Sequence, residues 1–202
     1  MKQRIGILGG TFNPIHYGHL ILGENALTQF HLDTVIFMPT GHTPHKNYTG
    51  TVLQQHRIEM VKLAICSNPY FKLSEYETSR KEVSYTASTI HYFQIQYPEA
   101  ELFFILGADS LFDFENWKDP EYISANSTIL VAVRDTLNEE KVDRQIDYLE
   151  TKYRSTIFRL STPNFYVSSK EIRDRVISRD SIRYLLPDSV RTYILEHKLY
   201  EL

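Results

Sequence analysis

The sequence predicts an α/β fold, in which a doubly wound parallel sheet carries helices on both of its faces. Two observations favour it: short apolar runs recur along the chain, and segments with helical periodicity separate them. Strands that are apolar throughout are typical of parallel sheets covered on both faces, and their alternation with helices indicates the same architecture. Because such sheets bind ligands at the carboxyl ends of their strands, functional residues are expected there.

Six strands and six helices follow from these patterns. The clearest strand is the apolar run 102–106, which ends at Gly107, and the others are predicted at 5–8, 35–38, 71–74, 128–133 and 156–160. Apolar residues at helical spacing and the residues that flank them predict helices over 18–30, 52–67, 86–97, 139–153, 169–178 and 188–198.

Composition excludes several classes of protein. The 202 residues include 22 Lys and Arg against 25 Asp and Glu, and 42% are hydrophobic. This balance excludes intrinsic disorder and gives no basic surface for nucleic acid or anionic membrane. No apolar run approaches the roughly 20 residues that span a bilayer. The single cysteine, Cys66, cannot form an internal disulfide, which favours a reducing compartment. We expect a cytoplasmic protein with one domain over residues 1–202.

The first predicted strand runs into the segment GGTFNPIHYGHL, residues 9–20. Two glycines allow a tight turn, and backbone N–H groups between a strand and a helix form a cradle for an anion. His16 and His19 are three residues apart, so they share a face of a helical turn and can donate hydrogen bonds to phosphate. The alternatives are a plain tight turn, a core histidine beside a surface histidine, and an incomplete metal pair.

A second candidate for phosphate binding is VSSKEIR, residues 167–173. Ser168 and Ser169 precede a predicted helix, so one of them is expected to cap it. The same helix N-terminus can bind an anion, and Arg173 lies about one turn further along. Lys170 and Glu171 are equally compatible with a solvated pair.

Together these two segments resemble the nucleotidylyltransferase superfamily, with its HxGH and [ST]xR-type motifs. The chain resembles bacterial nicotinate-nucleotide adenylyltransferases more closely, on the segments MPTGHTPHK (38–46), SYTAST (84–89) and GADSLFDFENW (107–117) and on the paired C-terminal helices. The resemblance spans the whole chain and implies a Rossmann-like fold, with a small helical appendage from about residue 168 packed on the core. One position departs from the family: Lys170 stands where Thr is usual. We expect its ammonium to face the β- or γ-phosphate when ATP is bound, and the alternative is a side chain that points to solvent.

The resemblance implies an enzyme of NAD biosynthesis that joins ATP to nicotinate mononucleotide and releases pyrophosphate, with Mg²⁺ carried by the ATP phosphates and no metal site on the protein. The implied partners are these two small molecules, not nucleic acid or membrane, and a homo-oligomer is compatible with it. Catalysis is assigned to His16, His19 and Arg173, with His19 nearest the α-phosphate. The remaining residues implied to bind ATP are Gly9, Gly10, Thr11, Phe12, Gly18, Gly107, Asp109, Arg134, Ser168 and Ser169.

The residues implied to bind the mononucleotide are Asn13, Lys46, Tyr85, Thr86 and Trp117. Trp117 would stack on the pyridine ring, while the N–H groups that begin the helix at Tyr85 and Thr86 suit the nicotinate carboxylate. Several of these residues also have structural interpretations. Trp117 would be a core residue, Lys46 an exposed loop lysine, Asp109 a helix cap and Arg134 a structural residue.

Three other functions share part of this pattern. A phosphopantetheine adenylyltransferase would have the HxGH turn in a shorter chain, without need of Trp117 or the PHK segment. A nucleotide sensor on the same fold would not require His16, His19 and Arg173 intact. A class I aminoacyl-tRNA synthetase would need a longer chain and a basic surface for tRNA.

Overall fold

A computed structural model of the chain describes residues 2–41, 52–133, 139–163 and 166–201. Its single sheet of six strands is parallel throughout, in the order β3-β2-β1-β4-β5-β6. The strands are β1 (Arg4–Gly10), β2 (Thr34–Pro39), β3 (Phe71–Leu73), β4 (Glu101–Gly107), β5 (Thr128–Ala132) and β6 (Thr156–Leu160). This is the Rossmann strand order, and the predicted fold class is confirmed.

The helices cover both faces of the sheet, as predicted. They are α1 (Tyr17–Gln29), α2 (Gln54–Ile65), α3 (Thr86–Gln96), α4 (Ala108–Phe112), α5 (Pro120–Asn126), α6 (Glu139–Tyr153), α7 (Ser169–Ile177) and α8 (Asp188–Glu196). One core lies under α1, α2, α7 and α8, and a second core lies under α3, α4, α5 and α6. Alternate residues of β1 serve the two cores, since Ile5 and Ile7 lie in one and Leu8 in the other. The C-terminal helices therefore pack in the same core as α1.

Residues 108–126, for which the sequence pattern predicts no element, contain α4, α5 and a 3-10 helix at Phe114–Asn116. These segments have 5, 7 and 3 residues, which is too few turns for a repeating apolar pattern. They matter for function because they follow β4 directly and carry Trp117 beside the end of the sheet.

Candidate active site

The turn after β1 forms the floor of the candidate site. Gly9 and Gly10 end the strand, at the point where the sheet order reverses between β1 and β4. Gly10 is required by close approach, because an added Cβ would lie 2.8 Å from the ring of Phe12. Phe12 has a φ of 46° and is buried. The chain then passes through a cis Asn13–Pro14 peptide bond and enters α1.

His16 and His19 lie together at the start of α1, as their spacing predicts. His16 is the N-cap residue and is buried, and His19 is the third residue of the helix. The backbone N–H of His16 donates to Nδ1 of His19 over 3.2 Å, and the two ring centroids are 3.8 Å apart. The ring of Phe12 packs edge-on to His19 at 4.9 Å. These contacts fix the orientation of His19, which lines the cleft described below.

Helix α7 is attached to this same turn. Ser168 caps α7 by accepting the N–H of Glu171, so its hydroxyl serves the capping role. The Ser169 hydroxyl donates to the Pro14 carbonyl, and Nη1 of Arg173 donates to the Asn13 carbonyl, each over 2.8 Å. The two sequence segments predicted to bind phosphate are therefore joined in space, although about 155 residues separate them along the chain.

A cleft with a volume of about 410 Å³ opens at the carboxyl ends of β1, β2 and β4. The residues that line it include Gly9, Gly10, His19, Tyr85, Thr86, Gly107 and Trp117, all of them in the predicted site. Glu77, Ser110 and Lys118 line it as well. Predicted ATP and mononucleotide residues thus share one cavity, whose size suits a nucleotide-sized ligand.

Aromatic side chains and a helix end form the far side of the cleft. Trp117 is half-buried, packed edge-on against Phe104 at 6.0 Å and tilted against Phe114 at 5.5 Å. Helix α3 begins at Thr86 with Tyr85 as its N-cap residue, as predicted. The Lys118 ammonium lies 4.7 Å over the ring of Tyr85. A flat ring and a positively polarised helix end thus face the same space.

Several predicted site residues lie elsewhere or are not described. Gly18 is half-buried in the first turn of α1, and Asn13 and Thr11 lie in the turn before it and are not among the residues that line the cleft. Asp109 is exposed in the first turn of α4, whose N-cap residue is Gly107, so the alternative of a capping Asp109 is wrong. Lys46 and Arg134 lie outside the described residues.

Lys170 is not among the residues that line the cleft. Its ammonium pairs with Asp174 at 2.7 Å, one turn along α7, and its side chain is 77% exposed. This position favours the solvent-facing alternative over the expected contact with phosphate.

We therefore expect Lys170→Thr, which restores the usual family residue, to leave the KM for ATP within about twofold, since exposed pairs contribute little. Steady-state kinetics at low and high salt check this. A raised KM whose salt dependence is weaker than that of the unaltered chain would show instead that Lys170 contacts the triphosphate.

Comparison with known proteins identifies the family. Residues 7–175 match the family model described as cytidylyltransferase-like. A protein of Lachnoclostridium phytofermentans named "probable nicotinate-nucleotide adenylyltransferase" is 40% identical over 198 residues, which are 98% of this chain and 99% of that protein. One of the same name from Thermoanaerobacter is 38% identical over 99% of this chain and 95% of its own. The chain belongs to the nicotinate-nucleotide adenylyltransferase family.

The fold of this family member is also that of a solved structure. The nicotinic acid mononucleotide adenylyltransferase of Plasmodium falciparum, in complex with APC, superposes with a TM-score of 0.78 at 18% identity. The match covers 98% of this chain and 97% of that one. At this identity the likeness shows the fold alone.

Three polar residues near the site of this family member escape the sequence patterns: Arg57 and Glu77 are buried, and Tyr200 is half-buried. Arg57 donates to the backbone carbonyls of Thr11 and Thr40. The Tyr200 hydroxyl, near the C-terminus, donates to Oδ1 of Asn13 over 3.0 Å. Glu77 is 5% exposed, accepts the Thr89 hydroxyl at 2.7 Å and receives the Gly41 N–H at 3.4 Å. No local motif marks them, because each acts on residues distant in sequence.

Burial raises the pKa of the Glu77 carboxyl above its ordinary 4.5, and hydrogen bonds from Thr89, Gly41 and Ser84 oppose the rise. The folded chain then holds this proton more tightly than the unfolded chain. Its contribution to stability is full below about pH 4.5 and is lost as the pH rises through the raised pKa.

Glu77→Gln removes this titration. We expect the free energy of unfolding of the unaltered chain, measured relative to the variant by urea denaturation, to fall as the pH rises above about 4.5. Glu75→Gln, at an exposed position two residues earlier, is measured at the same pH values as the matched control for the change from Glu to Gln. A difference between Glu77→Gln and the unaltered chain that stays constant with pH would contradict the assignment.

The described residues form neither a metal-binding cluster nor a membrane-spanning helix. No group of three or more His, Cys, Asp or Glu side chains is placed to hold a metal ion within residues 2–41, 52–133, 139–163 and 166–201. In the same parts of the chain, no helix combines the length and the apolar character that crossing a membrane requires. The expectation that the metal arrives with the nucleotide stays a prediction.

Proposed function

We propose that this chain transfers the adenylyl group of ATP to nicotinate mononucleotide, forming nicotinic acid adenine dinucleotide and pyrophosphate in NAD biosynthesis. One structural observation supports this proposal most directly. The His16–His19 pair and Arg173 meet at a single turn, at the edge of a cleft that also holds an aromatic ring and a helix N-terminus. The names of the relatives at about 40% identity support the same reaction.

The reaction needs no general base on the protein. An oxygen of the mononucleotide 5′-phosphate attacks the α-phosphorus of ATP, the bond from that phosphorus to the bridging oxygen breaks, and pyrophosphate leaves. A phosphate monoester has a second pKa near ~6, so the nucleophile is already largely a dianion at neutral pH. Rate enhancement then comes from positioning the two phosphates and from stabilising negative charge as it develops.

His19 is suited to that second task. Because its Nδ1 accepts a backbone N–H from His16, the neutral ring carries its proton on Nε2, which acts as a donor. His19 lines the cleft next to Gly9 and Gly10, where the α-phosphate is proposed to lie. Arg173 and the N-terminus of α7 adjoin the same turn and are proposed to hold the β- and γ-phosphates.

The mononucleotide occupies the other half of the cleft in this proposal. Its pyridine ring stacks on Trp117, and its carboxylate accepts N–H groups at the start of α3, beside Tyr85 and Thr86. A helix N-terminus favours an anion, so the acid form is preferred over the neutral amide. We assign Asn13 to shaping the turn between the two substrates.

The remaining parts of the proposal concern the setting. ATP is the magnesium complex, in which Mg²⁺ neutralises charge on the phosphates as part of the substrate. Residues 1–202 act as one nucleotidylyltransferase unit, which is consistent with the shared core of α1, α7 and α8. This unit acts in the cytoplasm. A homo-oligomer is compatible with this reaction.

A product assay tests the function. The purified chain is incubated with ATP and MgCl₂ and with nicotinate mononucleotide, nicotinamide mononucleotide or phosphopantetheine, and the products are separated by chromatography. We expect dinucleotide and an equal amount of pyrophosphate with nicotinate mononucleotide, and much less product with the amide. Adenylylated phosphopantetheine as the main product, or no pyrophosphate with any acceptor, would contradict the proposal.

A further inference from the structure

Arg57 interrupts the apolar stripe of α2. The buried residues of this helix are Arg57, Met60, Val61, Ala64 and Ile65, which is the spacing of one helix face turned to the core. Arg57 is 1% exposed. Burying a cation costs free energy unless it is hydrogen-bonded, and a cation near the start of a helix opposes the helix dipole. A residue with these two costs, where an apolar side chain would fit the pattern, calls for a compensating role.

The compensation lies in two short hydrogen bonds to backbone carbonyls. Nη1 of Arg57 donates to the carbonyl of Thr11 over 2.7 Å, and Nη2 donates to that of Thr40 over 2.8 Å. Thr11 follows β1 and Thr40 follows β2, which is the neighbouring strand. One planar guanidinium therefore ties together the two points at which the chain leaves the sheet, and its fork fixes their separation.

The same turn is held at two further carbonyls. Those of Asn13 and Pro14 accept from Arg173 and Ser169, so α2 and α7 together fix three carbonyls between Thr11 and Pro14. The Tyr200 hydroxyl donates to the Asn13 side chain of this turn; burial raises the pKa of Tyr200, and the positive charges of Arg173 and Arg57 oppose that rise. A carbonyl oxygen that accepts from Arg57, Arg173 or Ser169 is held toward that donor, so it does not turn toward a bound phosphate, which it would repel.

We propose that Arg57 is a positioning residue for adenylyl transfer: by holding the carbonyls of Thr11 and Thr40, it fixes the turn that carries His16 and His19. The inference rests on the proposed function. Arg57 is not among the residues that line the cleft, so it acts through Thr11 and not by touching substrate.

Arg57→Lys is the informative variant, because it keeps the charge and most of the stem but replaces the fork with a single ammonium. A displaced turn misaligns groups that act in the transition state more than it weakens ground-state binding. We expect kcat to fall by about tenfold or more, with the KM of each substrate changing less than about threefold. Arg57→Gln, which keeps one amide donor, is the second variant and should show the same division between kcat and KM.

Thr34→Val is the matched control for lost stability. Thr34 is buried at the opposite end of β2, where its hydroxyl donates to the Tyr70 carbonyl over 2.8 Å. This variant should lower the melting temperature and keep kcat. A wild-type kcat in either Arg57 variant that circular dichroism shows to be folded would overturn the inference, as would an equal loss of kcat in Thr34→Val. Failure of the unaltered chain to make dinucleotide would instead reject the proposed function.

Discussion

Replacing His19 by alanine is expected to lower kcat by about 10²–10³-fold, the usual cost of losing one donor aimed at developing negative charge. The expectation rests on the contacts that orient the ring. Nδ1 of His19 accepts the backbone N–H of His16, and the rings of His16 and Phe12 pack against the His19 ring. The proton on Nε2 is therefore presented in one direction before substrate binds, so little reorganisation accompanies the reaction.

His19→Asn separates catalysis from helix capping. An asparagine Oδ1 occupies the place of Nδ1 and can still accept the His16 N–H, but the side chain ends before the position of Nε2. Both variants should lose activity, whereas only the alanine variant should lose the stability that a helix N-terminal hydrogen bond provides, about 0.5–2 kcal/mol. Steady-state kinetics and urea denaturation measure the two effects. Near wild-type turnover in a folded His19→Asn would reject the donor role.

Much of the fold could be predicted because the signals that specify it are local. The apolar run at 102–106 became β4, with one residue added at each end, and the amphipathic pattern at 139–153 became α6 with the same bounds. A parallel sheet buries both faces of its strands, so each strand appears in the sequence as an apolar run. The short helices after β4 lack such a pattern and were missed.

In the candidate site, too, local sequence patterns predict one part, whereas another part is formed by residues from distant segments. The turn with His16 and His19 lies within 12 consecutive residues, so its spacing predicts its geometry. Arg57 and Tyr200 contact that turn from distant segments, and no local motif predicts which carbonyl or amide they bind. Arg57 did leave one signal: it falls in register with the buried positions of α2, where a charged residue is out of place.

The other part of the site that sequence spacing could not fix is the pairing of Trp117 with the N-terminus of α3. They meet only because α3 and the segment after β4 both start at the same edge of the sheet. In our proposal the ring binds the pyridine without regard to charge, while the helix end selects the carboxylate. The two contributions should therefore be separable by kinetics.

Trp117→Ala is expected to lower kcat/KM for nicotinate mononucleotide by about 5–150-fold, from the roughly 1–3 kcal/mol that stacking on an aromatic side chain contributes. The preference for the acid over the amide should stay the same, because α3 is unchanged. That preference is expected to be about 10–150-fold in the unaltered chain, the worth of a hydrogen bond to a charged group. Trp117→Phe is the matched control, since it keeps a ring against Phe104 and Phe114 and should lose less. Measuring kcat/KM for both substrates with all three proteins separates the contribution of the ring from that of the helix end.

A Trp117→Ala variant that also lost its preference for the acid would show that the ring, and not the helix end, selects the carboxylate. Equal values of kcat/KM for acid and amide in the unaltered chain would contradict the proposed contact between the carboxylate and the start of α3.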